Sequence, residues 1–164
     1  MSYQCLTCGK IHDDLPDIAA AKPDHFFDVP ENERTRRVKL TSDTCIIDNR
    51  DHFIRGVIEI PIHDHPNAFG FGVWVSQRKD NFFKYLENFD SAEIGPFFGW
   101  LCTRIKFYPQ DTLGLKTRAH FRSGNLRPRI ELEPTDHPLA VDQRDGMSLT
   151  KAWEIAHFYM PNAS

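Results

Sequence analysis

The stretch from Thr44 to Gln77 constrains the fold more than any other part of the chain, because it holds three strand-like segments in close succession. They are "DTCIID" around Cys45, "HFIRGVIEIPIH" over 52–63 and "FGFGVWVSQ" over 69–77. All three are rich in Ile, Val, Phe and Trp, and clusters of turn-forming residues separate them. This arrangement predicts three neighbouring strands connected as hairpins.

Two segments have helical spacing instead. In "RKDNFFKYLENF", apolar residues recur every three to four positions with charges between them, which predicts an amphipathic helix. The C-terminal "SLTKAWEIAHFYM" begins with Ser148 as an N-cap and carries apolar residues along one side, which predicts a final helix that packs on the sheet. One short helical turn is expected over 31–34, after Pro30.

The second half of the chain adds further strands. "FFGWLCTRI" has strand composition and is expected to bury Cys102, and "LKTRAHFRSGNLRPRIELEP" reads as a hairpin with its turn at "SGN". Strands in hairpins with two covering helices predict an α+β fold on a mostly antiparallel sheet. The 164 residues fit one domain, with a Cys-rich head over 1–16 and a sheet-and-helix body over 36–160.

Charge and hydropathy exclude some function classes. The net charge is −3, from 20 Lys and Arg against 23 Asp and Glu, so no positive field favours nucleic acid. No apolar run has the roughly 18 residues that a membrane span needs, and no signal peptide is evident. We therefore expect a cytoplasmic protein, in which the four cysteines are metal ligands or core residues rather than disulfides.

The opening "CLTCGKIH" has the spacing of half a zinc site. Cys5 and Cys8 are separated by two residues and His12 follows closely, which predicts a zinc-knuckle-like hairpin with a structural zinc. The predicted fourth ligand is Cys45, because its strand-like neighbours would hold the sulfur in place, and His25 is the alternative. Two other interpretations stay open: the thiols of the head are simply reduced, and Cys45 lies in the core on the same face as Ile47.

A second candidate site follows the last predicted strand. His137, Gln143 and Arg144 come after "IELEPTD", where loops often carry function on a rigid scaffold, and they form a binding-site hypothesis. Adjacent residues on an extended chain point apart, so Asp136 is not expected to orient His137. Three arginines in strand-like segments, either gathering anions on one face or forming ion pairs, are Arg55, Arg127 and Arg129.

Several strings resemble one bacterial family, catalogued as domain of unknown function 2199. They are "CLTCGKIH", "DTCIID", "HFIRGVIEIPI", "FGVWVS", "RPRIELEPTDHPLA" and "QRDGMS", and together they extend from Cys5 to Ser148. The resemblance implies no activity, because the family has none that could be carried over to residues of this chain.

These observations favour a binding or interaction module with a structural zinc over an enzyme. A protein partner fits this expectation, while nucleic acid and membrane do not. Two alternatives are a small metal-assisted hydrolase and an immunity-type or regulatory protein that caps a partner's surface. A hydrolase would need a zinc with an open coordination position and a nearby acid or base.

Overall fold

The computed structural model describes residues 3–4, 11–12 and 15–160 of the chain. Its strands are β1 (Tyr3–Gln4), β2 (Ile11–His12), β3 (Ile18–Ala19), β4 (Val38–Leu40), β5 (Thr44–Ile47), β6 (Asp51–Ile60), β7 (Phe69–Gln77), β8 (Phe97–Trp100), β9 (Lys116–His120) and β10 (Arg129–Leu132). Its α-helices are α1 (Arg34–Arg37), α2 (Lys79–Glu87), α3 (Pro138–Asp145) and α4 (Leu149–Tyr159), and short 3-10 helices cover Asp24–Asp28 and Glu31–Glu33.

The large sheet closes on itself. Its strands lie in the order β3-β7-β6-β10-β9-β8, and β5 also pairs with β6. Immediately after β8, Leu101 forms a bridge with Val75 of β7, and the Cys102 N–H donates to the Trp74 carbonyl at 2.8 Å. The strands from β7 round to β8 therefore form a barrel-like ring, and we call the junction of 100–102 with β7 the seam.

Side-chain alternation along β6 separates two apolar cores. Ile54, Ile58 and Ile60 are fully buried and belong to the main core, which also takes Phe82 and Tyr85 from α2. The opposite face of the sheet carries a smaller core, covered by the segment over 20–29 and made of Val29, Cys45, Ile47, Phe53, Trp74 and Cys102. Both faces of the sheet are therefore covered by apolar residues at β6 and β7, which explains why the sequence of these two strands is hydrophobic almost throughout.

Most elements agree with the sequence prediction. β5, β6 and β7 are antiparallel neighbours, and β9 pairs with β10 as the second hairpin. Cys102 is buried, as the apolar composition of the surrounding segment "FFGWLCTRI" predicted. Helix α2 buries Phe82 and Tyr85, and Ser148 caps α4 by accepting a hydrogen bond from the Lys151 N–H at 3.1 Å.

Two details of the predicted fold need correction. The sheet is mixed, because β3 pairs with β7 in parallel and β10 joins β6 in parallel. There are four described α-helices rather than two; the additional ones are α1, which extends the expected turn, and α3, where a loop was predicted.

The zinc-knuckle-like hairpin of the head stays a prediction. The strands β1 and β2 pair antiparallel, but Cys5 and Cys8 lie outside the described residues, and no zinc knuckle is shown.

Candidate functional site

The seam brings distant parts of the chain together. The Trp100 N–H donates to Ser76 Oγ at 3.0 Å, which holds the end of β8 against the end of β7. Gly99 lies so close to the Ser76 carbonyl that an added Cβ would overlap that oxygen, so this close approach requires glycine. The seam is consequently a tight backbone contact on which the neighbouring side chains are placed.

A pocket of about 550 Å³ opens beside the seam, and we call it the seam pocket. Its volume is in the range of small-molecule sites. The residues that line it come from five separate parts of the chain: His25, Arg50, Asp51, His52, Phe53, Ser76, Gln77, Trp100, Leu101, Cys102, Leu113 and Gly114.

Gln77, which lines this pocket, has a fixed side-chain amide. The side chain is 7% exposed, and its Nε2 donates to the carbonyls of Ser76 at 2.8 Å and of Phe98 at 3.3 Å. Because both partners are carbonyl oxygens, the amide nitrogen must face them and the orientation of the amide is determined. Oε1 therefore points away from these carbonyls, and it is buried without a partner among the described residues.

His25 contributes a second unpaired polar atom. Its ring lies against Phe53 with centroids 5.2 Å apart, and Nδ1 is buried with no hydrogen-bond partner in the described part of the chain. Buried polar atoms are hydrogen-bonded in the great majority of cases. Gln77 is paired with His52 across β6 and β7, whereas His25 stacks on Phe53, which is paired with Ser76, so the two unpaired atoms belong to opposite faces of the sheet.

Aromatic side chains and one ion pair also line the pocket. Trp100 is 47% exposed and forms an edge-to-face pair with Phe98. His52 is buried and lies against Phe82, with ring centroids 5.0 Å apart. At the rim, Arg50 and Asp51 form an ion pair with nitrogen and oxygen 3.0 Å apart.

The one thiol in this pocket is held in its neutral form. Cys102 donates to the Trp100 carbonyl at 3.3 Å, and burial raises the pKa of the thiol to about 12. The thiolate is the nucleophilic form of cysteine, so this side chain is unsuited to nucleophilic attack at neutral pH. The chemistry that the seam pocket offers is hydrogen bonding and aromatic contact.

Two of the three residues in the binding-site hypothesis line a different pocket, of about 560 Å³, which we call the arginine pocket. Arg144 and Gln143 of α3 meet Arg129 of β10 there, together with Glu59 and Glu131. Gln143 has a structural role, since its Oε1 accepts from the Leu132 N–H and its Nε2 donates to the Ile130 carbonyl, both at 2.8 Å.

His137, the third residue, is not among the residues that line the arginine pocket. It caps α3: Nδ1 accepts from the Leu139 N–H at 3.1 Å, so Nε2 carries the proton and donates to the Gln110 carbonyl at 3.2 Å. The sequence signal for this helix was Pro138 at its first position. A binding role for His137, Gln143 and Arg144 stays a prediction.

The three arginines that were considered either as an anion-binding face or as members of ion pairs have separate roles. Arg127 donates to Asp43 at 2.8 Å, and Arg55 lies near the same pair and donates to the Ser42 carbonyl at 3.2 Å. Burial and the charge of Arg127 lower the pKa of Arg55, which places the two cations close together around Asp43. Arg129 lines the arginine pocket instead.

The predicted zinc ligands lie mostly outside the described side chains. Cys5 and Cys8 are outside the described residues, and of His12 only the backbone is described. Cys45 is buried on the same face as Ile47, and burial raises the pKa of its thiol to about 11. Within the described residues, no group of three or more His, Cys, Asp or Glu side chains could hold a metal ion. The zinc site and its four ligands stay a prediction.

Comparison with protein families gives one match. The model for an uncharacterised protein conserved in bacteria, DUF2199, covers residues 4–147. The chain belongs to this family. Every residue of the DUF2199 chain that lines the seam pocket falls inside the matched range, whereas α4 follows it. No curated protein and no solved structure matches. Among the helices that the structure describes, none is long and apolar enough to cross a membrane.

Proposed function

We propose that this protein is a binding module that holds a small organic ligand in the seam pocket. The observation that carries the proposal is the seam pocket itself, in which Phe53 and Trp100 stand beside the polar residues His25, Ser76 and Gln77. Pockets of this size that combine apolar walls with a few polar groups are the usual sites of small organic ligands.

Bound water could also occupy a pocket with polar residues, so the size of the pocket matters. A water molecule occupies about 30 Å³ of liquid volume, whereas the seam pocket measures about 550 Å³. Phe53 and Trp100 add apolar surface to the pocket. This surface contacts an organic molecule favourably but offers no hydrogen bond to water. The volume of the pocket and its apolar surface therefore favour an organic ligand that contains a ring over isolated water molecules.

Binding is favoured over catalysis by the chemistry of the same pocket. Its thiol, Cys102, is held neutral by burial, and its only carboxylate, Asp51, is paired with Arg50. Nucleophilic catalysis needs an activated nucleophile beside a base.

The test is a two-dimensional amide NMR titration with indole, benzamide and purine as probes. We expect the signals of Trp100, Leu113 and Gly114 to shift with at least one probe. Asn67 and Arg144, which line the arginine pocket of nearly equal volume, are the internal control and should not shift.

A matched variant locates the binding. Leu113→Trp adds bulk at the wall of the seam pocket, so it should remove the shifts while the remaining spectrum stays that of the folded protein. The proposal is wrong if none of the three probes at millimolar concentration shifts the seam-pocket signals. It is also wrong if a probe shifts these signals in Leu113→Trp as much as in the wild-type protein.

A further inference from the structure

We propose that the arginine pocket is a second binding site, which takes a small organic molecule through a single carboxylate group. The arginine pocket and the seam pocket share no lining residue, so the second site is separate from the one to which the proposed function belongs. Arg129 of β10 and Arg144 of α3 are the residues that hold the carboxylate.

Arg129 has a guanidinium group that no described residue binds. The residue lines the arginine pocket and is only partly buried, so solvent and a dissolved ligand can reach it. Its side chain makes no hydrogen bond, ion pair or cation–π contact with the part of the chain that the structure describes. A guanidinium carries five N–H donors in a planar arrangement that fits the two oxygens of a carboxylate. Arg129 therefore offers its donors to a molecule in the pocket.

Two carboxylates line the same pocket, but each has another partner. Glu59 accepts from the Arg122 guanidinium at 2.7 Å, and Glu131 Oε1 lies 3.2 Å from His120 Nε2. Neither Arg122 nor His120 is among the residues that line the pocket. The two glutamates are therefore engaged by groups outside the pocket, and neither one forms an ion pair with Arg129.

Arg144 supplies a second cation on a fixed helix. Its Nε lies 3.5 Å from Asp145 Oδ1, and the two side chains are 49% and 63% exposed. Ion pairs between exposed side chains contribute little, so a ligand can replace this contact at small cost. The neighbouring Gln143 bonds to the Leu132 N–H and the Ile130 carbonyl, both at 2.8 Å, and so holds α3 against β10.

The rest of the pocket indicates that the ligand has an apolar body. The volume of about 560 Å³ is that of a site for a small organic molecule and is far larger than an inorganic ion requires. Much of the wall consists of proline and aliphatic side chains, including Pro61, Ile62, Leu132 and Pro134. Contact with these side chains removes apolar surface of the ligand from water, which favours binding.

The glutamates of the wall indicate a single negative charge on the ligand. Glu59 and Glu131 repel an anion in the pocket, and the repulsion grows with the charge that the anion carries. A doubly charged phosphate is therefore opposed more strongly than a carboxylate. Repulsive groups of this kind are a common source of specificity.

The experiment is an amide NMR titration with two matched pairs of probes, benzoate against benzamide and 4-methylpentanoate against 4-methylpentanamide. The two members of each pair have nearly the same shape and differ in charge. We expect at least one carboxylate to shift the signals of Asn67, Ala68 and Arg144, and its amide to bind there at least tenfold more weakly. Leu113 and Gly114 report binding at the seam pocket separately.

Matched variants assign the binding to the two arginines. Arg129→Gln and Arg144→Gln each remove the charge and keep a long polar side chain. We expect the first to weaken the carboxylate at least tenfold and the second at least threefold. Arg118→Gln, on β9 and outside both pockets, is the control and should leave the affinity unchanged. Arg144 is exposed and weakly paired, so its variant keeps the test valid if Arg129→Gln does not fold.

Three results would overturn the proposal. The first is the absence of shifts at Asn67, Ala68 and Arg144 with both carboxylates at millimolar concentration, or equal affinity of acid and amide in both pairs. The second is an unchanged affinity in Arg144→Gln and in folded Arg129→Gln. The third concerns the charge of the ligand: tighter binding of phenyl phosphate than of benzoate would contradict a site for a single carboxylate.

Discussion

The Tyr108 hydroxyl donates a 2.6 Å hydrogen bond to Asp142 Oδ2, and this bond connects the long loop after the seam to α3. The Lys151 ammonium of α4 lies 2.6 Å from the same oxygen. Asp142 is thus the common partner of two segments, and its side chain is only 12% exposed. Such a buried polar network stabilises one arrangement of its elements only when each member is satisfied.

Replacement of this carboxylate should destabilise the protein. Asp142→Asn removes the ion pair with Lys151 and weakens the bond from Tyr108, so we expect a loss of about 1–3 kcal/mol in the free energy of unfolding. Urea denaturation measures it. Tyr108→Phe, which keeps the ion pair, is the matched comparison and should lose less; an equal or greater loss would show that the ion pair contributes little.

The same tyrosine predicts a loss of stability at alkaline pH. Burial, followed by the bond to Asp142, raises the pKa of Tyr108, and burial raises the pKa of Tyr85 to about 12. The unfolded chain releases these protons near pH 10, before the folded protein does, so stability is fully present below pH 10 and declines above it. Urea denaturation between pH 8 and 11 should show this decline, and Tyr108→Phe should make it shallower; an unchanged slope would exclude Tyr108 as a source.

The seam predicts a strong effect of one added methyl group. Gly99→Ala places a Cβ against the Ser76 carbonyl, so we expect a loss of about 3 kcal/mol and faster hydrogen exchange at the Cys102 amide. Gly114→Ala is the control: nothing lies within 4 Å of the added Cβ, although the φ of +85° still costs about 1–2 kcal/mol. Equal exchange rates at Cys102 in both variants would argue against a tight seam.

Gln143 and Arg144 are adjacent but should respond differently to substitution. Gln143 makes two hydrogen bonds with the backbone of β10, so Gln143→Ala should cost about 1–3 kcal/mol. The Arg144 side chain is 49% exposed and only approaches Asp145 at 3.5 Å, so Arg144→Ala should cost less than about 0.5 kcal/mol. Thermal and urea denaturation of both variants test this, and comparable losses would contradict the structural role of Gln143.

The zinc prediction is tested by metal content. Protein purified without chelator should carry about one zinc per chain, and Cys5→Ser combined with Cys8→Ser should abolish it. Zinc-free wild-type protein would rule the site out.

The fourth ligand is then assigned by chelator competition. Cys45→Ala should weaken the binding of zinc more than His25→Ala does. A large loss only in His25→Ala would assign the metal to His25 and would also give its buried nitrogen a partner. A loss in neither variant would leave Cys45 as a core residue beside Ile47.

Local pattern was sufficient for the elements whose burial repeats with a regular period. The alternation in β6 and β7 identifies these strands, because a period of two places apolar groups on one side. In α2 the spacing of the apolar residues indicated the helix, but of the four that carried the prediction, Phe82, Phe83, Leu86 and Phe89, only Phe82 is buried, and Tyr85 is the other residue that the helix buries. Helix α3 has eight residues and a histidine cap in place of the usual Ser, Thr, Asp or Asn, so its sequence carries little of the expected start signal.

The sequence by itself determined an α+β chain with a hairpin-rich sheet, a buried Cys102 and two amphipathic helices. Only the tertiary structure decided that the sheet closes at the seam and that His25, Gln77 and Trp100 line one pocket. The physical reason is that periodicity reports which face of an element is buried, whereas closure and hydrogen-bond satisfaction depend on contacts between residues far apart in the chain. An unpaired Oε1 on Gln77 becomes visible only when every neighbouring donor has been placed.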